Sequence, residues 1–322
     1  MTGPSDARRR AGNVVARATE LRDQLAAGDH RGVVASFART VESLRELGEL
    51  LGVDAVDVVD AVAPGTPVTL VTSAASTGEV EGDGPIPLPR LEITVPVLGV
   101  DACKAGWVGA ILEPGAPRPR IAVAQTIGSL VETVRQSLGI QVVGIDIPIG
   151  LPDETTRQAD ALARKMLKGK ASSVFTTLTR AAYATQSRAE ADTVNRALSG
   201  QGVGAQAFAL RPKIVEVDAW VRSRPTVMVL EVHPELSFAT MAGAPLLTGK
   251  KTEPGRRDRL AALSAAGLSC PSVLTGPGYA ADDVLDACAV AWTAARRAVG
   301  LAQPLPDPPE VFSDGLPAAI WA

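Results

Sequence analysis

Two aspartates stand at the ends of apolar segments that have the composition of buried strands. Asp101 follows Val97–Val100, and Asp146 lies within the apolar segment 141–151. A carboxylate at the end of a core strand costs free energy unless it is paired, solvated or bound to a cation. If the two strands are parallel neighbours, both acids lie at the edge of the sheet where ligands bind in such folds.

A third acid, Glu231, comes near the end of the β-branched segment 226–232, which predicts another core strand. Glu231, His233 and Glu235 alternate along the chain, and in an extended segment all three would share one face. A helix beginning after Pro234 would instead place Glu235 in its first turn.

The last acids open a helix that begins near Ala280. Asp282 and Asp283 each lie about one turn from Asp286, so two or three of these acids share one helix face. Their alternative explanation is a favourable interaction with the helix dipole.

Carboxylates gathered from four elements would repel one another and raise each other's pKa. Hard divalent cations such as Mg²⁺ and Mn²⁺ prefer oxygen ligands and remove this repulsion. Two such ions about 3.5–4 Å apart suit phosphoryl displacement. The alternative is that single acids pair with nearby cations such as Lys104, Lys213 or Arg180.

The elements around these acids predict an α/β domain. Strands are expected at 97–100, 107–112 and 120–124, a helix at 127–138, and the Asp146 strand follows. Within the main domain, 94–322, a mostly helical insertion occupies about 153–225. Residues 1–65 predict a helical hairpin region for dimerisation, partner binding or simple packing, and 66–93 predict a strand and a Gly/Pro-rich linker.

Composition narrows the function classes. The 322 residues carry a net charge of −3, so no overall basic field exists to hold nucleic acid. Three cysteines and two histidines are too few for a Cys- or His-based metal site. No apolar stretch approaches the ~18–20 residues of a membrane span, and a cytoplasmic protein is expected.

Basic residues suggest where phosphates would bind. The expected phosphate contacts are Lys104, Arg180, Lys250 and Lys251, and a local patch of this kind is needed because the whole chain is slightly acidic. Accessory roles at the site are expected for His233, Glu235, Asp282 and Lys213.

Six ordered blocks carry a resemblance to a known family. They are Gly99–Val108, Gly144–Pro152, Ser172–Phe175, Pro212–Asp218, Glu231–Phe238 and Asp282–Ala287. Together they resemble the domain-of-unknown-function family 429, whose members are classed as predicted nucleases of the ribonuclease-H-like fold.

The resemblance implies a mixed central sheet flanked by helices and a metal-dependent carboxylate site. By position it makes Asp101 the first-strand ligand, Asp146 the parallel-strand ligand and Asp283 or Asp286 the last-helix ligand. The family's first loop has glycines where this chain has Ala102 and Ala105. Since alanine tolerates positive φ poorly, a changed loop is expected there.

Three functions follow as hypotheses. The first is a nuclease or phosphodiester hydrolase that depends on Mg²⁺ or Mn²⁺ and acts on nucleic acid or a nucleotide, with Asp101, Asp146, Glu231, Asp283 and Asp286 as catalytic acids. The second is a nucleotide-binding phosphotransferase. The third is a non-catalytic binding or regulatory protein with a vestigial site.

Overall fold

The computed structural model describes residues 91–322. The chain divides into two units, residues 1–82 and 83–322, and the described residues all belong to the second unit. The predicted helical region 1–65, the strand in 66–73 and most of the linker that ends at 93 lie outside the described residues. Their proposed role in dimerisation or partner binding stays a prediction.

A single mixed sheet organises the described part of the chain. Its strands are β1 (Val97–Cys103), β2 (Gly106–Glu113), β3 (Ala116–Ala124), β4 (Val142–Ile145), β5 (Met228–Val232), β6 (Pro304–Val311) and β7 (Pro317–Trp321). The spatial order is β3-β2-β1-β4-β5-β7-β6. β1, β4, β5 and β7 run parallel to one another, while β2 and β6 are antiparallel to their neighbours.

Helices connect and cover these strands. They are α1 (Ile127–Leu138), α2 (Gln158–Met166), α3 (Arg180–Ala184), α4 (Arg188–Ser199), α5 (Ala205–Ala209), α6 (Arg211–Arg222), α7 (Pro234–Ala242), α8 (Glu253–Ala265) and α9 (Ala281–Ala298). A short 3₁₀ turn, Ala171–Ser173, follows α2. The segment 153–225 therefore holds α2 to α6 and no strand.

The bounds of α1 illustrate how local sequence sets an element. Thr126 accepts a hydrogen bond from the Ser129 N–H at the start, and Gly139 ends the helix in the left-handed conformation with φ 63°. Ile127, Leu130 and the other buried side chains recur at three- and four-residue spacing. These signals explain why the predicted bounds, 127–138, agree with the observed ones.

The sheet has an apolar core on each face. Val97, Val108 and Leu230 pack with α7, α8 and α9 on one face. Leu98 and Ile145 pack with α1 and α6 on the other. The predicted mixed sheet flanked by helices is thus confirmed.

Three features of the sheet differ from the sequence-based prediction. β1 continues past Asp101 to Cys103 in its pairing with β2, so Asp101 lies within the strand and not at its end. β4 is shorter than the apolar segment 141–151 suggested, so Asp146 lies just beyond its end. β6 and β7 were not predicted, because proline-rich segments are poor candidates for strands. The proline-rich strand β6 lies at the outer edge of the sheet, where a missing N–H leaves no gap in an interior ladder.

Among the described residues, no helix combines the length and the apolar character that crossing a membrane requires.

A carboxylate cluster as the candidate functional site

Asp101 and Asp146 come to the same end of two adjacent parallel strands. β1 pairs with β4 from Val97 opposite Val142 to Val100 opposite Ile145. The Asp146 N–H donates to the Val100 carbonyl at 3.0 Å and continues this ladder by one residue. The two acids therefore lie beside each other at the carboxyl edge of the sheet, where ligands gather in parallel sheets.

Glycines two residues before these acids let helix α9 approach the strands closely. A Cβ atom on Gly99 would lie 2.1 Å from the Ala291 nitrogen, and one on Gly144 would also meet α9. Since side chains alternate along a strand, Asp101 and Asp146 point to the same face as these glycines. Both acids therefore face the helix that carries the third.

That third acid is Asp286, on the first turns of α9. Its side chain is only 2% exposed. The Lys250 ammonium donates to Asp286 Oδ2 at 2.6 Å, and this lysine comes from the segment just before α8. Asp101 has no salt-bridge partner among the described residues, nor does Asp146; Asp101 Oδ1 accepts the Ala102 N–H at 2.7 Å.

The three acids have pKa values above the ordinary range. Burial is the largest cause for each. The pKa of Asp101 is raised further by the charges of Asp146 and Asp286. Burial raises the pKa of Asp146 to about 7 and that of Asp286 to about 6, although the Lys250 charge lowers both. These carboxylates are therefore close enough to destabilise one another's charged forms.

Buried polar atoms without hydrogen-bond partners surround the cluster. Within the described residues they include Asp286 Oδ1, Glu235 Oε2 and His233 Nδ1. A cavity of about 30 Å³ borders Asp146 and His233 together with Glu231 and Asp160, but neither Asp286 nor Glu235, and that volume holds about one water molecule. An ordered water or a cation would satisfy such atoms, whose isolation is otherwise costly.

The cluster offers the kind of donor atom that a divalent cation prefers, but these donor atoms are not arranged to hold one. Oxygen donors from separate elements, one of them an unpartnered buried oxygen of Asp286, are what Mg²⁺ and Mn²⁺ prefer. Among residues 91–322, no group of three or more Asp, Glu, His or Cys side chains has the geometry to hold a metal ion. The Lys250 ammonium bonded to Asp286 explains part of this, because it already supplies a positive charge there.

Glu231 does not join the cluster, because its position in β5 directs its side chain to the face of the sheet opposite α9. It pairs with Ile145 across β4 and β5, and Ile145 packs in the core on the far face from α9. The buried Arg157 guanidinium donates to both Glu231 oxygens at 2.7 and 2.8 Å, and the Ile149 N–H donates to Oε2 at 2.7 Å. Glu231 thus fastens the segment after β4 to β5.

His233 and Glu235 are not on one extended face, since β5 ends at Val232 and α7 begins at Pro234. Glu235 lies in the first turn of α7 and accepts from Arg259 at 2.5 Å and from Lys170 at 3.4 Å. His233 Nε2 lies 3.3 Å from the Ser173 carbonyl. Burial lowers the pKa of His233, so the imidazole is neutral at neutral pH.

The remaining acids of α9 lie at the rim. Asp283 Oδ2 accepts the Ala280 N–H at 2.9 Å, so this acid caps its own helix, and burial raises its pKa. Asp282 and Asp283 line a surface depression of about 520 Å³ together with Lys104 and Lys251. Two of the predicted phosphate contacts therefore share an opening next to the cluster.

Lys213 and Arg180 lie elsewhere. The Lys213 ammonium stands 4.3 Å from the centre of the Trp107 ring and 3.9 Å from Glu216. Arg180 pairs with Asp218 at 2.8 Å and with Asp314. These contacts occupy both cations. Within the described residues neither cation forms a salt bridge with the clustered acids, and neither does Lys104. Pairing of single acids with cations does occur, but through Lys250 at Asp286 and Arg157 at Glu231.

The loop after β1 is unstrained despite its alanines. Among the described residues other than glycine, only Arg224 has a positive φ, so Ala102 and Ala105 adopt ordinary conformations. Gly106 carries the positive φ, 122°. The Ala105 N–H donates to the Gly278 carbonyl at 2.8 Å, which ties this loop to the chain just before α9. That this loop differs from the glycine-containing loop of the family stays a prediction.

Three basic residues at or near the site were missed or given another role from the sequence. Arg157 and Arg259, the partners of Glu231 and Glu235, gave no signal because both lie far from those acids along the chain. Lys250 was expected to contact phosphate, yet its ammonium lies on Asp286. Only the fold brings these pairs together.

Fold and site define an α/β protein with a mixed seven-stranded sheet and an acidic cluster at its carboxyl edge. Residues 99–311 match the family described as "Protein of unknown function (DUF429)", and the chain belongs to that family. No curated protein and no solved structure matches the chain.

Proposed function

We propose that this protein is a divalent-metal-dependent phosphodiester hydrolase of ribonuclease-H-like fold that acts on nucleic acid. One observation carries the proposal: Asp101, Asp146 and Asp286 meet at the carboxyl edge of the sheet, where burial and the charges of neighbouring acids raise their pKa values. Three buried acids that face each other in this way destabilise the fold unless a ligand or a cation compensates them. An arrangement of that kind is typical of a site rather than of a packing contact.

The clustered acids divide the work by their positions. Asp101, Asp146 and Asp286 would hold Mg²⁺ or Mn²⁺, because they offer oxygen donors from three elements. When bound, the cation would make an attached water more acidic and polarise a phosphate oxygen. Asp283 at the rim orients the start of α9 through its bond to the Ala280 N–H. Lys104 and Lys251, in the adjoining depression, would contact the phosphates on either side of the cleaved bond.

Cleavage of labelled oligonucleotides tests this proposal. Single- and double-stranded DNA and RNA, each labelled at one end, are incubated with the protein and Mn²⁺ or Mg²⁺. We expect cleavage that EDTA abolishes and that Asp101→Asn and Asp146→Asn each reduce by at least about a hundredfold, since losing a metal ligand should cost no less than losing one of its outer-shell partners, about 10–100-fold. Asp192→Asn is the matched control, because Asp192 is an exposed acid paired with Arg196.

Two unfavourable results of this experiment have different meanings. Cleavage that persists unchanged in both Asp101→Asn and Asp146→Asn would come from another enzyme in the preparation. Absence of cleavage of every substrate with either metal, in a protein that melts cooperatively, would reject the hydrolase.

A binding or regulatory protein is the second candidate, and Lys250 favours it. Its salt bridge already neutralises Asp286, which is what a vestigial site would need. Mn²⁺ at millimolar concentration separates the two readings, because a ligand that binds only the folded state raises the melting temperature. No shift relative to EDTA would support the vestigial site.

The phosphotransferase has less support. The glycine-rich segment 200–204 connects α4 and α5 and does not follow a strand, whereas a phosphate-binding loop of this kind joins a strand to a helix.

A further inference from the structure

The surface depression beside the acidic cluster contains one aromatic residue, Tyr279. Its volume is about 520 Å³, and the charged residues that line it with Tyr279 are Lys104, Lys251, Asp282 and Asp283. That volume is in the range of pockets that hold small molecules. The depression is therefore large enough for more than the phosphate of a nucleotide.

A tight turn fixes the position of Tyr279. The segment Gly276–Tyr279 has proline and glycine at its two central positions, as a type II turn favours, and Gly278 has a positive φ of 82°. The first and last residues of the turn exchange two backbone hydrogen bonds, each at 3.3 Å. The Ala105 N–H donates to the Gly278 carbonyl at 2.8 Å, which ties the turn to the loop between β1 and β2.

The Tyr279 ring lies over the glycine that opens this turn. A Cβ atom on Gly276 would stand 2.4 Å from the ring Cζ and 2.5 Å from Cε1, so a glycine is needed there to leave room for the ring. The ring also packs against the apolar core on the α9 face of the sheet. Tyr279 is nevertheless only half-buried, and its remaining surface lines the depression. An aromatic ring held in this way is a preformed surface on which a base can stack.

The charges around the ring favour a neutral group inside the depression. Lys104 and Lys251 bring two positive charges, and ionised Asp282 and Asp283 bring two negative ones. A polyphosphate would be repelled by the two acids, whereas a base is neutral and has polar edges that such side chains can bond. Both lysines are exposed, so their ammonium groups stay available for the phosphates that precede and follow the base.

We propose that this depression binds one unpaired base of a nucleic-acid strand by stacking it on the Tyr279 ring, so that the substrate is single-stranded. The inference rests on the nucleic-acid substrate of the proposed function, and it does not depend on a metal ion. In a duplex each base is already stacked between its neighbours, so its ring faces are not available to Tyr279. Every base has a π-face, and a single aromatic ring therefore selects a single strand without selecting its sequence.

Equilibrium binding in EDTA tests the inference without any cleavage. The fluorescently labelled probes are oligothymidylate, a strand of the same length made only of abasic deoxyribose phosphates, and a duplex of the same length. The abasic strand keeps the phosphates and lacks the bases. We expect the wild type to bind oligothymidylate about tenfold more tightly than the abasic strand, which is the scale of one stacked base.

Variants of Tyr279 assign this preference to the ring. Tyr279→Leu should bind oligothymidylate about tenfold more weakly than the wild type does, with unchanged affinity for the abasic strand and the duplex. Tyr279→Phe retains the ring and should keep the preference. Phe208→Leu is the matched control and should bind as the wild type does, because Phe208 is a half-buried aromatic residue that packs on the opposite face of the sheet.

The two lysines should behave differently from Tyr279. Lys104→Met and Lys251→Met should weaken binding of oligothymidylate and of the abasic strand by the same factor, because contacts to phosphate do not involve the base. A lysine variant that lost only the preference for thymidine would contradict this division of roles.

Equal affinity of the wild type for oligothymidylate and the abasic strand, or an undiminished preference in Tyr279→Leu, would overturn the inference while leaving the hydrolase intact. A preference that depends on Tyr279, in a protein that cleaves no nucleic acid, would support the inference and reject the hydrolase. Failure to bind any strand or duplex would overturn both. If Tyr279→Leu does not melt cooperatively, Tyr279→Met serves in its place.

Discussion

At the scale of single residues, the site is a balance between burial and charge. Asp101, Asp146 and Asp286 are held where water is scarce and where each acid opposes ionisation of the others. Lys250 offsets this only in part. Glu231 is held differently, because two hydrogen bonds from Arg157 and one from the Ile149 N–H satisfy its carboxylate, although burial raises its pKa to about 7 as well.

The raised pKa of Asp146 makes the metal-free fold dependent on pH. A folded-state pKa of about 7, against an ordinary value of 3.8, means that the folded protein holds this proton more tightly than the unfolded chain does. The stability from this group is complete below the unfolded pKa and is lost as pH rises toward 7. In EDTA at pH 8, Asp146→Asn should therefore raise the free energy of unfolding by up to about 4 kcal/mol, because the shift spans roughly three pKa units and each corresponds to about 1.4 kcal/mol. Urea denaturation measures this change.

At pH 4 the same substitution should have little effect, since Asp146 is largely protonated there in the folded state. Asp153→Asn serves as the control of opposite sign, because hydrogen bonds from Ser313 lower the pKa of Asp153. An equal effect of Asp146→Asn at both pH values would contradict the assignment.

The buried Arg157–Glu231 pair predicts a large loss when only one partner is removed. Arg157→Met leaves the Glu231 carboxylate buried and without its cation, which costs about 3–5 kcal/mol in unfolding free energy. The double variant Arg157→Met/Glu231→Met removes both charges and should recover part of this loss, because the buried Asp160 carboxylate, 3.5 Å from Arg157, still loses its cation. Urea denaturation at pH 7 measures the unfolding free energy of the wild type, Arg157→Met and the double variant.

Arg164→Met is the comparison for that experiment, because Arg164 bonds the Val174 carbonyl and Thr176 without a buried ion pair. It should cost about 1 kcal/mol. A double variant no more stable than Arg157→Met would mean that the charges are not the cause.

At the scale of elements, the close contact of α9 with β1 and β4 brings the acids together. Gly99 and Gly144 leave room for the helix backbone, and the acids two residues later on each strand then face Asp286. The alternation of side chains also explains why β5 contributes no acid to the cluster, because the side chain of Glu231 lies on the opposite face of the sheet.

A side chain at Gly99, which would fill the space between β1 and α9, should therefore lower both the unfolding free energy and the affinity for a metal ion. The new Cβ of Gly99→Ala would lie 2.1 Å from the Ala291 nitrogen and 2.3 Å from the Ala287 carbonyl oxygen. Because backbone cannot move aside cheaply, we expect a loss of about 3 kcal/mol in unfolding free energy, at the upper end for an overpacked core. Mn²⁺ affinity, measured by calorimetry, should fall at least about tenfold as α9 withdraws.

Gly204→Ala is the matched control, because nothing lies within 4 Å of a Cβ atom there and its φ is −63°. It should leave both quantities unchanged. A Gly99→Ala protein with wild-type Mn²⁺ affinity would show that this contact does not position Asp286.

At the scale of the whole molecule, residues 83–322 form a unit with its own sheet and two apolar cores. The β6–β7 hairpin completes this unit, since β7 pairs in parallel with β5. Every clustered acid and Lys250 belong to the same unit.

A fragment comprising residues 83–322 should fold by itself and keep the site. Its melting should be cooperative, and its Mn²⁺ stoichiometry should equal that of the whole chain, because all proposed ligands and both cores are present. Calorimetric unfolding and Mn²⁺ titration measure this. A fragment ending at residue 300 is the comparison: without β6 and β7 it leaves β5 as an open edge and should aggregate or melt at a lower temperature. A fragment 83–322 that is unfolded, or that binds no Mn²⁺ while the whole chain does, would assign residues 1–82 a part in the site.

The sequence by itself determined most of the secondary-structure elements and the edge of the sheet at which the acids lie. The apolar segments that precede Asp101 and Asp146, the capped helix 127–138 and the acids that open α9 are local patterns, which can be recognised without knowledge of long-range contacts. The resemblance in six ordered blocks predicted the mixed sheet. The β6–β7 hairpin escaped because its prolines are acceptable only at an edge, and being an edge is a property of the whole sheet.

Only the tertiary structure decided which charges meet. Asp286 and Lys250 are 36 positions apart, and Arg157 and Glu231 are 74 apart. No periodicity in the chain encodes such pairs. Glu231 was expected with the other acids because its strand ends at the same edge, but a strand has two faces and the register alone selects one. The ion pairs depend on the folded backbone, which is why three basic residues, Lys250, Arg157 and Arg259, define this site in ways that the sequence did not reveal.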